Sequence, residues 1–339
     1  MATQQAFAMG SEASLPGYMA RQAGEQKPEN SVTGLAARLQ QVIAQVNGIL
    51  LGKEYQVKLA MACILARGHL LIEDLPGVGK TTLAQALARS LGLSFQRIQF
   101  TSDLLPADVL GVSIFEQTSS TFRFRPGPVF TQLVLADEIN RAPPKAQSAL
   151  LEAMEERQVT VEGETRALPE PFFVIATQNP STQAGTFALP ESQLDRFLMR
   201  IRLGYPDSRS ERALLRGEDR RDTLARLPAR LSGRDLLDLQ QQARAVHVSE
   251  ALLDYVQALV SRTRDSGAFA AGLSPRSGLN LVHAARAWAH LDGRGFVLPE
   301  DVQSVLPGIA GHRLQPLHGT TERANDDAIR TLLADVPIP

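Results

Sequence analysis

Apolar and polar residues follow two different patterns along the chain, and the change between them divides the sequence near Tyr205. Before this residue, short apolar runs alternate with stretches in which apolar residues recur every three or four positions. The apolar runs predict buried strands at 69–74, 95–100, 133–138, 172–179 and 197–203. Buried strands separated by helices are typical of a parallel α/β sheet. We therefore predict an α/β domain over 32–205, which opens with two helices at 35–46 and 54–68.

Beyond Tyr205 the strand-like runs stop and the spacing becomes helical. Apolar positions recur at this spacing in five segments, at 210–218, 233–246, 250–264, 274–291 and 299–310. The sequence therefore predicts a smaller, all-α domain over 206–314. Residues 1–31 are rich in Gln, Ala, Gly, Ser and Glu without periodicity, which predicts a flexible N-terminal arm. Residues 315–339 carry no strong signal and are assigned as a C-terminal tail.

Two segments alternate apolar and polar residues around a polar turn, which is the pattern of a β-hairpin. They are VSIFEQTSSTFRFRPGPVF at 112–130 and RQVTVEGETRALPEPF at 157–172. Each hairpin could be a functional insert or could simply close the edge of a sheet. Arg123 and Arg125 could contact a partner, but ordinary strand pairing explains the pattern around them equally well.

Composition and charge exclude several classes of protein. The chain has 35 basic and 36 acidic residues and a net charge of −1, which argues against a dedicated nucleic-acid binder. Apolar runs are shorter than the ~20 residues of a membrane span, and the N-terminus lacks a signal-peptide pattern, so we expect a cytoplasmic protein. Cys63 lies in an apolar helical pattern and is expected to be a buried structural thiol. The scattered histidines and the absence of H-E-x-x-H and G-x-S-x-G motifs leave zinc chemistry, proteolysis and hydrolase triads without support.

The stretch LLIEDLPGVGKTTLAQALA at 70–88 places a glycine-rich turn between a predicted strand and a predicted helix. A phosphate-binding loop reads G-x-x-x-x-G-K-[ST]; GKT at 79–81 matches its end, but Asp74 stands in place of the first glycine. In such loops backbone N–H groups surround phosphate, the lysine reaches the β- and γ-phosphates, and the next hydroxyl ligates Mg²⁺. We assign position 74 a conformational role and expect Pro76 and Gly77 to supply the turn. The predicted nucleotide-binding residues of the loop are Pro76, Gly77, Val78, Gly79, Lys80, Thr81 and Thr82.

Two further strand ends carry polar residues in the order that this chemistry needs. LVLADE ends in Asp137 and Glu138, as a Walker B element does, so Asp137 can hold Mg²⁺ together with Thr81 and Glu138 can polarise the attacking water. Two solvated acids at a strand end are the alternative, which their place on a fully apolar strand disfavours. VIATQN ends at Asn179, which could orient that water, although Asn often ends strands only as a turn residue.

The phosphate-binding loop, the acid pair and the polar strand end follow one another along the chain, and the sequence that contains them resembles the MoxR family of AAA+ ATPases. The run LADEINRAPPKAQSALLEAMEERQVT at 135–160 is its most specific part. Three shorter motifs agree with it: ATQNP at 176–180, LPESQLDRF at 189–197 and LSPRSGLNL at 273–281. The resemblance spans roughly 31–314. Loops of this family commonly read LxED-x-PG-x-GKT, so the resemblance makes Asp74 a family variant.

The resemblance implies a homo-oligomer, a hexameric ring that binds ATP and Mg²⁺ between its subunits. It matches Arg196, in LDRF, to the arginine finger that reaches into the neighbouring site, and Arg276, in SPRSG, to the sensor 2 arginine that reports nucleotide to the helical lid. It matches the two hairpins to the helix 2 and pre-sensor 1 inserts. For either arginine alone, an ordinary surface salt bridge is the alternative. The usual partner in this family carries a von Willebrand factor A domain, whereas the client protein is not readable from the sequence.

Several functions stay open at this point. We predict an ATP hydrolase that couples turnover in a ring to chaperone-like remodelling or maturation of a client protein. A nucleotide-controlled assembly module with slow turnover and a motor subunit like that of magnesium chelatase are the alternatives. A DNA-acting motor is disfavoured by the neutral charge and by the lack of a nucleic-acid module.

Overall fold

A computed structural model describes residues 32–179, 186–216, 220–317 and 322–338 of the 339-residue chain. The predicted arm at 1–31 lies outside these residues. The described chain opens with helices α1 (Val32–Ile49) and α2 (Glu54–Leu65), which agree with the two predicted helices. The buried residues of α1 recur every three or four positions and are Leu35, Leu39, Val42, Val46 and Ile49.

The remainder of the first domain alternates strands and helices as the apolar runs predicted. Its strands are β1 (Leu70–Glu73), β2 (Phe95–Gln99), β3 (Gly111–Glu116), β4 (Thr121–Pro126), β5 (Leu133–Asp137), β6 (Gln158–Val161), β7 (Glu164–Ala167), β8 (Phe173–Gln178) and β9 (Met199–Ile201). Its further helices are α3 (Lys80–Ser90), α4 (Pro106–Leu110), α5 (Pro144–Glu156) and α6 (Glu191–Leu194).

Five of these strands form one parallel sheet in the order β2-β5-β8-β1-β9. Every residue of β5 is buried, as an apolar run in the middle of a parallel sheet should be. Because the strands are parallel, their carboxyl ends meet at one edge of the sheet, and ligands of open α/β sheets bind there. The predicted α/β class is therefore confirmed, and the sheet order decides which strand ends become neighbours.

Both predicted hairpins form, as β3–β4 and β6–β7. Phe115 and Phe122 face each other across the first hairpin with ring centroids 5.3 Å apart, although Phe122 is 75% exposed. The guanidinium of Arg166, in β7, lies 3.9 Å from the ring centroid of Phe124, in β4, so the two hairpins contact each other.

The second domain is all-α, as predicted. Its helices are α7 (Ser208–Arg216), α8 (Arg220–Ala225), α9 (Gly233–Arg244), α10 (Glu250–Asp265), α11 (Pro275–Leu291), α12 (Pro299–Ala310) and α13 (Glu322–Asp335). The last two residues of the helix predicted at 210–218 lie outside the described chain. Helix α2 packs against α9 and α11 and so links the sheet domain to the helical domain.

Helix α13 lies within 315–339, the segment that carried no strong signal and was assigned as a C-terminal tail, and it corrects that assignment. Ile329, Leu332 and Val336 are buried, and α13 packs on α10 and α12. Polar residues outnumber these apolar positions, so the helical spacing is weak when the sequence is read alone. Among the described helices, none has the length and the run of apolar residues that crossing a bilayer requires.

Candidate functional site

The glycine-rich turn after β1 has the backbone of an anion-binding loop. Gly77 and Gly79 have φ angles of 85° and 101°, in the left-handed region that glycine adopts without steric cost. Helix α3 begins directly afterwards at Lys80, and no side chain caps its N-terminus. The first N–H groups of α3 therefore lack intrahelical acceptors and are available to phosphate oxygens.

Lys80 lies between the loop and the end of β8. Its Nζ donates to the carbonyl oxygen of Asp74 at 2.5 Å and to Oδ1 of Asn179 at 2.9 Å. Burial lowers the pKa of Lys80, and the nearby carboxylates of Asp74, Asp137 and Glu138 counteract this effect. The predicted loop lysine and the predicted strand-end asparagine are thus direct neighbours.

Asp74 has a function in the fold that the sequence did not reveal. Its carboxylate is buried, and Oδ2 accepts hydrogen bonds from the backbone N–H groups of Leu203 at 2.7 Å and Gly204 at 2.6 Å. Its other oxygen accepts from the N–H of Leu75 at 2.8 Å. A glycine here could make none of these bonds. Asp74 therefore ties the loop to the segment that leaves the sheet for the helical domain.

Asp137 ends β5, and both of its carboxylate oxygens are bonded. Oδ1 accepts from the hydroxyl of Thr177 at 2.5 Å. Oδ2 accepts from Nη2 and Nε of Arg97 at 2.6 and 3.0 Å. Arg97 lies on the neighbouring strand β2, and its side chain is 47% exposed. The predicted metal-binding acid is thus held in place from both sides.

Glu138 follows with φ 57° and ψ 47°, a left-handed conformation that costs a non-glycine residue free energy and recurs at functional sites. Its Oε1 accepts from Nδ2 of Asn179 at 3.1 Å. Its Oε2 accepts from Nε2 of Gln99 at 3.0 Å and forms an ion pair with Arg141 at 3.1 Å. Asn179 therefore contacts both the catalytic candidate Glu138 and the loop lysine Lys80.

Sequence reasoning missed Arg97 and Gln99 on the edge strand β2. Nη2 of Arg97 donates to Oε1 of Gln99 at 2.8 Å, so these two residues link Asp137 to Glu138. The available signal was the period of two in FQRIQF, which places both polar side chains on one face of a strand. Their partners depended on the sheet order, which that pattern does not contain.

Thr81 and Thr82, in the first turn of α3, border a cavity of about 750 Å³ that Arg97 also lines. Mg²⁺ prefers oxygen ligands, and the Thr81 hydroxyl and the Asp137 carboxylate are of this kind. The free N-terminus of α3, the two left-handed glycines and the buried ammonium of Lys80 fit a polyphosphate. The donor set therefore matches a nucleotide with its magnesium ion.

Arg196 and Arg276 lie together in another place. Both line a cavity of about 440 Å³ between the sheet domain and the helical domain, and among the described residues none from the loop lines it. Nη1 of Arg196 donates to the carbonyl oxygen of Leu151 at 2.5 Å. Nη2 of Arg276 lies 2.9 Å from Oε1 of Glu155, in α5. Arg276 thus contacts the sheet domain beside Arg196, and the structure does not bring it to the loop of its own chain.

Comparison with known proteins supports a nucleotide-binding α/β domain followed by a helical domain. A family model described as ATPase family associated with various cellular activities (AAA) matches residues 69–199, and an AAA lid domain model matches 261–332. An uncharacterized protein, YeaC of Bacillus subtilis, is 43% identical over 304 residues, which cover 89% of this chain and 95% of that protein. Chaperone MoxR1 of Mycobacterium tuberculosis is 42% identical over 311 residues, covering 88% of this chain and 82% of that protein.

A solved structure of a protein from Cytophaga hutchinsonii is 37% identical and superposes with a TM-score of 0.80. The match covers 90% of this chain and 96% of the solved one. The lid model extends to residue 332 and so includes most of α13, which agrees with the correction made above. Fold, site geometry and relatives over most of the chain lead to one assignment. The chain belongs to the MoxR family of AAA+ ATPases.

Proposed function

We propose that this chain hydrolyses ATP with Mg²⁺ in a ring of identical subunits, and that the ring remodels or matures a client protein. The observation that carries the proposal is the hydrogen-bonded chain from Lys80 through Asn179 to Glu138. It holds a phosphate-binding cation and a candidate general base beside one another. The Chaperone MoxR1 relative supports the remodelling function.

The reaction follows from the positions of these groups. Lys80 and the N–H groups at the start of α3 bind the β- and γ-phosphates. Thr81 and Asp137 would hold Mg²⁺, which when bound neutralises charge on the phosphate oxygens. A water molecule attacks the γ-phosphorus and gives up a proton to Glu138, while the bond to the ADP oxygen breaks. ADP and inorganic phosphate are the products.

Two arginines complete the proposed site from outside the subunit. Among the described residues, none of the loop of the same chain lines the cavity that holds Arg196 and Arg276. We therefore assign both side chains to the nucleotide of an adjacent subunit, where a permanently charged, planar guanidinium stabilises the charge that develops on the γ-phosphate. For Arg276 this adds the subunit that holds the nucleotide, which the motif alone did not specify.

The wider setting of the proposal comes from the family resemblance. It includes a hexameric ring in the cytoplasm and a partner with a von Willebrand factor A domain, with no function in nucleic-acid binding. A nucleotide-controlled assembly module and a chelatase-like motor remain the competing functions. Measuring ATP turnover distinguishes the assembly module from the proposed ATPase.

The first test is specific ATPase activity measured against protein concentration at saturating ATP and Mg²⁺. A site that needs a neighbour's arginine should gain activity per subunit as rings assemble and then reach a plateau. Activity that does not change while the protein passes from monomer to oligomer, as light scattering reports it, would contradict an arginine supplied in trans. Absence of turnover in assembled rings would favour the assembly module.

The second test addresses the general base. Glu138→Gln should keep ATP binding but lower turnover by about 10², as loss of a catalytic base does. Glu152→Gln is a matched control, because Glu152 lies exposed on α5. Equal turnover in both variants would remove Glu138 from its proposed role.

A further inference from the structure

The cavity between the two domains is lined by an excess of positive charge. It has a volume of about 440 Å³ and lies between α5 and the end of α2 on one side and α9 and α11 on the other. Its cationic side chains are Arg67, Arg157, Arg196, Arg244, Arg276 and Arg286, and its acidic side chains are Glu155 and Asp195. A small cavity with this lining strongly favours an anion.

The two acids balance at most one of these arginines, because only the partner of Glu155 lines the cavity. Glu155 pairs with Arg276 at 2.9 Å. Asp195 pairs at 2.7 Å with Arg313, a buried residue that does not line the cavity. Arg67 pairs with Glu170 at 3.6 Å, outside the cavity. Among the residues that the structure describes, no ion pair is formed by Arg157, Arg196, Arg244 or Arg286.

Arg244 and Arg286 are the clearest cases. Within the described chain neither forms an ion pair, and Nε of Arg286 is buried without a hydrogen-bond partner. His283 lies beside them, and its pKa is lowered by burial first and then by the positive charges of Arg286 and Arg244. The histidine is therefore neutral near pH 7 and does not add to the charge. Arg244 is exposed and Arg286 is half-buried, so water screens part of the repulsion between the two charges, and an anion bound between them would offset the rest.

The shape of the cluster indicates which anion. Guanidinium groups offer paired, planar donors that match phosphate oxygens. Several of them converge on a space of a few hundred Å³, which suits a compact, multiply charged ligand better than an extended acidic chain. We propose that this cavity binds the polyphosphate of a nucleotide, and that Arg244 and Arg286 contact it in addition to Arg196 and Arg276.

The polyphosphate in the cavity has two possible sources, and for one of them the inference rests on the proposed function. An adjacent subunit could supply the polyphosphate from its own loop site, or a second, free nucleotide could occupy the cavity. The chemistry is the same in both cases. Stoichiometry distinguishes them, since the first source gives one nucleotide per chain and the second gives two.

The experiment measures binding of the non-hydrolysable analogue AMPPNP to the assembled full chain by titration calorimetry. The variants are Arg244→Ala and Arg286→Ala, with Arg244→Lys and Arg286→Lys to restore charge without the planar donors. Arg234→Ala is the matched control, because Arg234 lies on the same helix α9 in an exposed pair with Asp238 at 3.4 Å. We expect at least a tenfold loss of affinity, or loss of one of two sites, in the alanine variants and partial recovery in the lysine variants.

A Lys80→Ala variant separates the two sources and the two proposals. If the neighbour's nucleotide is bound, Lys80→Ala removes all binding; if a free nucleotide is bound, one site remains and depends on Arg244 and Arg286. A third outcome would refute the proposed nucleotide binding by the loop but support binding in the cavity. In that case Lys80→Ala binds AMPPNP as the native chain does, at one site per chain, and Arg244→Ala abolishes that site. The inference would be overturned if Arg244→Ala and Arg286→Ala bound AMPPNP with the same affinity and stoichiometry as the control Arg234→Ala, with all three variants assembled to the same extent.

Discussion

Asp74 allows a test that a motif-based argument and a structure-based argument answer in opposite ways. Asp74→Gly restores the strict phosphate-loop pattern, so the motif alone predicts a loop at least as good as the native one. The structure predicts a clear loss of stability. The Asp74 carboxylate is the acceptor for the backbone N–H groups of Leu203 and Gly204, and glycine offers no acceptor in its place.

The expected loss follows from these bonds. A hydrogen bond to a charged group contributes about 1.5–3 kcal/mol, and a buried donor left without a partner costs a similar amount. Residue Leu203 is 1% exposed and Gly204 is half-buried, so water replaces the carboxylate poorly at Leu203 and in part at Gly204. Leu75 is exposed, and its N–H can turn to water. Counting the two inner bonds near the lower limit gives a decrease of about 3 kcal/mol in the free energy of unfolding.

Urea unfolding followed by circular dichroism measures this decrease. Asp74→Ala should match Asp74→Gly, which shows that the lost acceptor and not glycine flexibility is the cause. Asp74→Asn keeps one acceptor oxygen and should lose about 1–2 kcal/mol. Asp103→Gly, at an exposed loop aspartate, is the control and should lose less than about 1 kcal/mol. A stability of Asp74→Gly equal to that of the native chain would refute the reasoning.

Three further outcomes are expected. Burial lowers the pKa of His69 to about 4, so as the pH falls the unfolded chain binds a proton at this histidine before the folded chain does. The free energy of unfolding, measured by urea titration, should therefore drop by about 2 kcal/mol from pH 7 to pH 5. His69→Gln should make it less dependent on pH. Asp301→Ala should lose about 2 kcal/mol in thermal unfolding, because it leaves Arg294 with Asp292 as its remaining acid partner and removes the acceptor of the Leu298 N–H. A loss below about 0.5 kcal/mol would show that Asp292 and water replace these bonds. Arg97→Met should lower the Mg²⁺ concentration for half-maximal ATPase activity by about threefold, since the guanidinium beside Asp137 opposes binding of a second cation. An unchanged or higher Mg²⁺ concentration would mean that Arg97 mainly positions the Asp137 carboxylate.

Local patterns along the chain were sufficient for most elements of the fold. Apolar runs found the five strands of the sheet, and period-two alternation found both hairpins, because each signal lies within a few consecutive residues. Helix α13 shows the limit of this reading. Ile329 and Leu332 in α13, and Val336 directly after it, have helical spacing, but only packing on α10 and α12 makes that face buried.

Contacts between distant segments could not be read in the same way. Asp74 bonds to Leu203 and Gly204, which lie 129 and 130 residues later in the chain. Arg97 meets Asp137 only because β2 pairs with β5 at the edge of the sheet. A linear motif contains the chemistry of these residues but not the strand order that brings them together.

Arg276 shows how the missing geometry changes a functional argument. Its motif suggests an arginine that reports nucleotide to the helical lid, and the local sequence does not say which subunit holds that nucleotide. The fold places it against Glu155, in the cavity with Arg196 and apart from the loop of the same chain. In the proposed function, the charge that develops on the γ-phosphate is stabilised by Lys80 of the same subunit and by Arg196 and Arg276 of another. Activity that depends on assembly is therefore the expected result that distinguishes the proposed function most sharply from a self-sufficient ATPase.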